Sequence, residues 1–136
     1  MDFFTRMASI WAERRTLLCV GLDPRLEDFS DTPKKAAAVL LERNRRVIDA
    51  TAAFAACYKP NAAFYEAWGP AGWEALAATL EHIPPNIPVI IDAKRGDIDT
   101  TARAYARALL GVLEADAVTL SPYLGRDSVD PFLEYP

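Results

Sequence analysis

Four charged side chains in this sequence are spaced so that they could share one chemical task. Asp92 and Lys94 stand two apart at the end of an apolar run, Ile87-Pro88-Val89-Ile90-Ile91, and Asp97 follows three residues later. Residues two apart in a strand point to the same side and lie about 6–7 Å apart along the backbone. Ile90 shares that parity, so Ile90, Asp92 and Lys94 are expected on one side and Val89, Ile91 and Ala93 on the other. Lys59 ends an earlier apolar run and can approach the same spot if the two strands are neighbours. The expected result is an alternating array of Lys59, Asp92, Lys94 and Asp97. Each carboxylate keeps its neighbouring ammonium charged, and the reverse holds. Such an array can hold an anionic substrate, supply a proton and stabilise a carbanion without a cofactor. The plain alternative is a structural group of ion pairs at strand ends. Burying four charges is unfavourable unless all are paired, which favours a chemical use for the group.

The elements that must position these residues follow a strand–helix rhythm. Residues 3–15 are expected to be helical, with Phe3, Phe4, Met7, Ile10 and Trp11 at helical spacing. A short strand over 16–20 ends at Gly21-Leu22-Asp23-Pro24, and a loop follows. Thr32 is suited to cap a helix that has Pro33 at its first position and runs to about Ala50. A second strand, 54–58, closes on Lys59-Pro60-Asn61, and a helix over 70–80 stops before Pro84-Pro85. The clearest strand is 87–93, followed by a helix over 100–113. A fourth strand, Ala117–Leu120, leads into Ser121-Pro122-Tyr123-Leu124-Gly125 and a helix start at Asp127 or Ser128.

Strands alternating with helices imply parallel strands joined by right-handed crossovers, and their near-continuous apolar character implies a sheet covered on both faces. A doubly wound sheet and a (β/α)8 barrel (TIM barrel) both fit. The chemically capable residues decide between them, because they gather just past the C-terminal end of every strand: Asp23, Lys59, Asp92 with Lys94, and Ser121. A barrel collects its site on that face from several strands. A doubly wound nucleotide fold places a glycine-rich phosphate loop after its first strand, and Gly-Leu-Asp-Pro is no such loop. The expected fold class is therefore α/β, a (β/α)8 barrel. A whole barrel takes about 250 residues, whereas 136 residues supply four βα units. Residues 1–136 are thus expected to be the N-terminal half of one barrel domain, with the C-terminal half absent and the chain stopping at Pro136 inside the next helix.

Composition excludes several classes. The chain has 15 Lys+Arg against 19 Asp+Glu, a formal charge of −4, so no basic footprint suggests nucleic-acid binding. Its longest stretch without a charged residue, 82–91, is half the ~20 residues a membrane span needs. The N-terminus lacks the basic start and apolar run of a secretory signal. Cys19 and Cys57 sit in apolar runs with no metal-like spacing, as expected for reduced, buried thiols of a cytoplasmic protein. His82 has no second His or Cys nearby to make a zinc site.

The segment Asp92-Ala93-Lys94-Arg95-Gly96-Asp97-Ile98 resembles the D-x-K-x-x-D signature of the orotidine 5'-phosphate decarboxylase family, in the form typical of its long bacterial subgroup. Gly21-Leu22-Asp23-Pro24, Tyr58-Lys59-Pro60-Asn61 and Ser121-Pro122-Tyr123-Leu124-Gly125-Arg126-Asp127 are similar to that subgroup's first, second and fourth strand ends. The resemblance covers nearly the whole chain in order. It implies conversion of orotidine 5'-phosphate to UMP and CO₂, the last step of UMP synthesis, with no metal or organic cofactor. It further implies that Asp23 binds a ribose hydroxyl and that Lys59 joins the charge network and contacts the ribose. Asp92 would lie beside the substrate carboxylate and Lys94 would deliver the proton to C6. Asp97, with Ile98 and Thr101, would reach into the partner's site of a homodimer. The phosphate and pyrimidine contacts would come from later strands, so residues 1–136 alone are expected to be inactive. Two rivals remain: an Mg²⁺-dependent sugar-phosphate decarboxylase or aldolase of the same superfamily, and a non-catalytic half-barrel.

Overall fold

The computed structural model describes residues 2–25 and 32–135. Helix α1 (Phe3–Arg14) starts at Asp2, whose carboxylate accepts from the Thr5 amide at 3.1 Å, and ends at Arg15 in the left-handed region. Strand β1 (Cys19–Gly21) follows. Most of the loop expected after Pro24 lies outside the described residues. Helix α2 (Pro33–Thr51) has Pro33 in its first turn, but the Thr32 side chain makes no capping bond, contrary to expectation. Its buried face, Ala36, Ala37, Leu40, Asn44 and Ile48, has the spacing of one helical stripe. Next come β2 (Cys57–Lys59), the single turn α3 (Ala63–Glu66), α4 (Gly69–His82), β3 (Ile90–Arg95), α5 (Asp99–Ala106), β4 (Ala117–Leu120) and α6 (Asp130–Leu133). Among the described residues, no helix is long and apolar enough to cross a membrane.

The differences from the expected elements have local causes. The β3 ladder begins later than residue 87 because Pro88 has no N–H to give it, and Val89 joins Tyr58 only through a single bridge. β2 begins later than Phe54, which sits 64% exposed in the turn after α2. The helix expected over 100–113 is α-helical only to Ala106 and then widens to a π-helix over Arg107–Val112, where the Leu113 amide reaches back to Ala108 O. Beyond β4 the chain makes two single 3-10 turns, and α6 begins at Asp130, which leaves Pro131 in the first turn where its missing N–H is harmless.

Among the described residues, all strand pairings are parallel. β1 pairs with β2 and β3 with β4, while bridges Tyr58↔Val89 and Asn61↔Asp92 join β2 to β3, so the four strands run side by side in chain order. The two sides of this sheet differ. Tyr58, Val89, Ile91 and Ala93 pack with Ile48 and Leu109 in the main core, and burying Ile91 completely contributes roughly 1.5–3 kcal/mol. On the opposite side Cys57 and Ile90 pack against Met7 and Ile10 of α1, at the N-terminal ends of the strands. The parity expected for β3 therefore holds for Ile90, Ile91 and Ala93. Cys57 is buried as expected, but its ladder partner Cys19 is exposed, because no described element covers that side of β1. Burial pushes the Cys57 thiol up to about 12, and the adjacent Cys19 adds to the shift.

α2 and α4 pack through Ala37, Leu40, Ala75 and Leu76, around Tyr65 of α3. Gly72 permits this approach, since a Cβ there would lie 1.8 Å from Tyr65 O. Inside the contact, Asn44 Nδ2 donates to Tyr65 Oη at 2.9 Å and to Thr79 Oγ1 at 3.1 Å, and Tyr65 Oη donates to Leu22 O at 3.0 Å. A buried polar group that is satisfied in this way costs little and fixes orientation. Here it ties the helices to the chain just before Asp23.

Candidate active site

The C-terminal ends of the four strands converge on Asp92. Its residue is 9% exposed, and both carboxylate oxygens are occupied. Oδ1 accepts from Lys94 Nζ at 2.7 Å and from Thr119 Oγ1 at 2.7 Å. Oδ2 accepts from Lys59 Nζ at 3.3 Å and from Asn61 Nδ2 at 3.3 Å. The Lys94 ammonium beside it, aided by Thr119 and Lys59 and opposed by burial, holds the Asp92 carboxyl down to about 2. The carboxylate is thus ionised at neutral pH, between two ammonium groups of which Lys94 is the more open, with its side chain two-thirds exposed.

These four partners come from three strands: Lys59 and Asn61 from the end of β2, Lys94 from β3 and Thr119 from β4. Lys59 is the last residue of β2, and the parallel bridge from Asn61 to Asp92 brings it alongside β3. Asn61 also donates its backbone N–H to Asp23 Oδ1 at 2.9 Å. That bond ties the end of β1 to the same cluster, as does the Leu22 amide on Lys59 O at 3.2 Å. Lys94 meets Asp92 on the expected side, but not through regular strand backbone. Its φ is +47°, in the left-handed region, and its ammonium folds back onto Asp92. Arg95 then turns away to pair with Glu66 of α3 and to lie 5.0 Å above the Tyr105 ring. Gly96 passes so close to Ser121 that a Cβ would stand 2.2 Å from its carbonyl oxygen, so only glycine fits.

The structure brings three of the four expected array members together: Lys59, Asp92 and Lys94. Asp97 stands apart, accepting from the Ile98 amide at 2.8 Å and making no ion pair among the described residues. Ile98, 63% exposed, and Thr101, also exposed, follow it into the first turn of α5. Ser121 is exposed and Arg126 pairs with Asp130 at 3.1 Å, and neither is among the partners of the Asp92 carboxylate. Thr119 is the residue that sequence reasoning missed. Its signal was present, for it is the single polar side chain within the strand Ala-Val-Thr-Leu.

Parallel strands in chain order, helices between them and a charged cluster at their C-terminal ends are the arrangement found in part of a (β/α)8 barrel. The profile of the orotidine 5'-phosphate decarboxylase / HUMPS family matches residues 16–136, and the chain belongs to that family. It is 48% identical to orotidine 5'-phosphate decarboxylase of Herpetosiphon aurantiacus over 132 residues, which cover 97% of this chain and 49% of that protein. With the Dehalococcoides mccartyi protein of the same name the identity is 51% over 135 residues, 99% of this chain and 48% of the relative. The solved structure of Leishmania donovani OMP decarboxylase superposes with a TM-score of 0.87 at 48% identity, covering all of this chain and 50% of the other. The chain spans about half the length of the curated relatives it matches. The barrel expected from the strand-end pattern is the fold, and this chain carries four of its βα units.

Proposed function

We propose that this chain forms the N-terminal half of a single barrel domain, and that the complete protein decarboxylates orotidine 5'-phosphate to UMP and CO₂ in pyrimidine biosynthesis. The observation that carries this reading is the Asp92 carboxylate clasped between the Lys59 and Lys94 ammonium groups, beside Asp23, at the face where barrel enzymes bind substrate. When the bond from C6 to the carboxylate breaks, CO₂ departs and the electron pair stays on C6. That carbanion has poor intrinsic delocalisation, so a preorganised ammonium is the group that stabilises it. Lys94 then transfers a proton from Nζ to C6 and is left as the neutral amine. Asp92 keeps Lys94 charged until that moment and lies beside the substrate carboxylate; Lys59 and Asp23 hold the ribose.

Asp97, Ile98 and Thr101 complete the site of the partner in a homodimer. Two features support this: Asp97 has no ion-pair partner among the described residues of its own chain, and Ile98 beside it is an exposed apolar side chain. The protein is cytoplasmic and uses neither metal nor organic cofactor. Residues 1–136 alone do not turn over, because the contacts to phosphate and pyrimidine lie on the other half of the barrel.

Loss of orotidine 5'-phosphate absorbance, measured for the complete protein with and without a chelator, tests the reading. Chelator-resistant UMP formation is expected. Activity that requires Mg²⁺ and acts on a sugar phosphate would replace it with the rival enzyme class, and turnover by purified residues 1–136 would refute the division of labour between the halves.

A further inference from the structure

Opposite Thr119, strand β3 carries more residues than its partner. Ile91 pairs with Val118 and Arg95 with Leu120, so Asp92, Ala93 and Lys94 face the single residue Thr119. Extra residues in one strand break the ladder locally and bend the chain. Lys94 absorbs that bend by taking φ +47°, a conformation that side chains with a Cβ adopt rarely. Its backbone N–H donates to Thr119 Oγ1 at 3.0 Å instead of a β4 carbonyl.

The same hydroxyl donates to Asp92 Oδ1 at 2.7 Å. The direction of both bonds is set by chemistry, because a backbone N–H can only donate and an ionised carboxylate can only accept. A hydroxyl has one proton and spare lone pairs, so it serves both neighbours at once. The Lys94 ammonium returns to that same Oδ1 at 2.7 Å, which closes a ring from the Lys94 amide through Thr119 and Asp92 to the Lys94 side chain.

We propose that Thr119 is a positioning residue of the decarboxylase site: its hydroxyl holds the β3 bulge in the conformation that turns the Lys94 ammonium back onto Asp92. It touches no reacting atom and acts through the two residues it joins. The inference rests on the reading of Lys94 as proton donor. Its structural part, the hold on the bulge, stands independently of that reading.

Thr119→Val keeps the shape of the side chain and removes both hydrogen bonds, while Thr119→Ser keeps the hydroxyl. In the complete protein, Thr119→Val is expected to lower kcat about 10–100-fold with KM changed less than about threefold, since misplacing a reacting group by about 1 Å costs that much. Thr119→Ser is expected to recover to within about threefold of the parent. The acid limb of the pH–rate profile should move to higher pH in Thr119→Val alone, because Asp92 loses a donor to its charged form. Hydrogen exchange of the Lys94 amide should accelerate in Thr119→Val and stay slow in Thr119→Ser. A parent-like kcat and acid limb in Thr119→Val, or a serine variant as impaired as the valine, would overturn the proposal. Should the parent protein not decarboxylate orotidine 5'-phosphate, the reading of Lys94 fails, and amide exchange at Lys94 still decides the role of Thr119: unchanged protection in Thr119→Val refutes it. If the valine variant does not fold, Thr119→Ala carries the same comparison.

Discussion

Asp92 and Asp116 lie at opposite ends of the neighbouring strands β3 and β4, and each is held by a basic side chain. Asp116 accepts from the Val89 amide at 2.8 Å and from the Arg6 guanidinium of α1, which also donates to Pro85 O at 3.0 Å. Asp92 accepts from two ammonium groups, an amide side chain and a hydroxyl. The partners explain the difference in role. A guanidinium stays protonated at any physiological pH and its planar fork suits a fixed clamp, so the Asp116 end straps α1 across the N-terminal ends of the strands. An ammonium on a flexible stem can give up a proton, and Lys94 is open to solvent where Arg6 is wedged between elements. One carboxylate secures the fold; the other, in the proposed reaction, organises the groups that react.

The sharpest way to test that contrast is at Lys94. Lys94→Ala in the complete protein is expected to cut kcat by at least about 10³-fold, combining loss of a proton donor with loss of its charge. Its circular dichroism should match that of the parent, with any fall in melting temperature far smaller in effect than the loss of turnover. Residual activity near the parent level would remove Lys94 from its role.

Gly96→Ala should come next in size. A methyl group 2.2 Å from Ser121 O forces the backbone after β3 to shift, at a cost of about 1–3 kcal/mol in stability. Denaturant unfolding and turnover should fall together here, unlike at Lys94.

At the other end of the sheet the expected pattern reverses. Arg6→Ala removes the strap on Asp116 and should destabilise the protein by about 1–2 kcal/mol, with kcat/KM unchanged within about twofold. A large loss of kcat/KM without loss of stability would break the comparison between the two ends.

Acid should expose the Asp92 cluster as well. Asp92 titrates near 2 in the fold against an ordinary 3.8. Its ionisation therefore stabilises the folded chain above about pH 4, and that contribution disappears as pH falls through 2. In Asp92→Asn the slope of stability with pH between 4 and 2 should flatten, as chemical denaturation across that range would measure. The smallest effect belongs to Thr32→Ala, expected within about 0.5 kcal/mol of the parent because the Thr32 side chain makes no capping bond.

The existence and order of the principal elements were legible because apolar runs and helical stripes arise from chain-local periodicity. Ala117–Leu120 was readable to the residue, and α1 to within one. Strand starts were less so: Pro88 and the turn at Phe54 look apolar enough to continue a strand, yet neither can join a ladder where it sits. The π-helix over Arg107–Val112 left no signal, since a wider turn preserves the same buried stripe through Ala106 and Leu109.

For the site, the sequence by itself determined which groups could react, because side-chain type and the spacing Asp92, Lys94, Asp97 depend only on covalent order. The parallel layout, with polar residues past each strand, was equally legible, since strand and helix periods dictate it. Only the tertiary structure decided how the groups meet. The bulge opposite Thr119 bends the backbone at Lys94, and Thr119 and Asn61 enter the site through pairing between strands distant in sequence. Asp97, by contrast, turns out of the cluster with its loop. Hydrogen bonds across neighbouring strands are set by register, and register is a property of the assembled sheet.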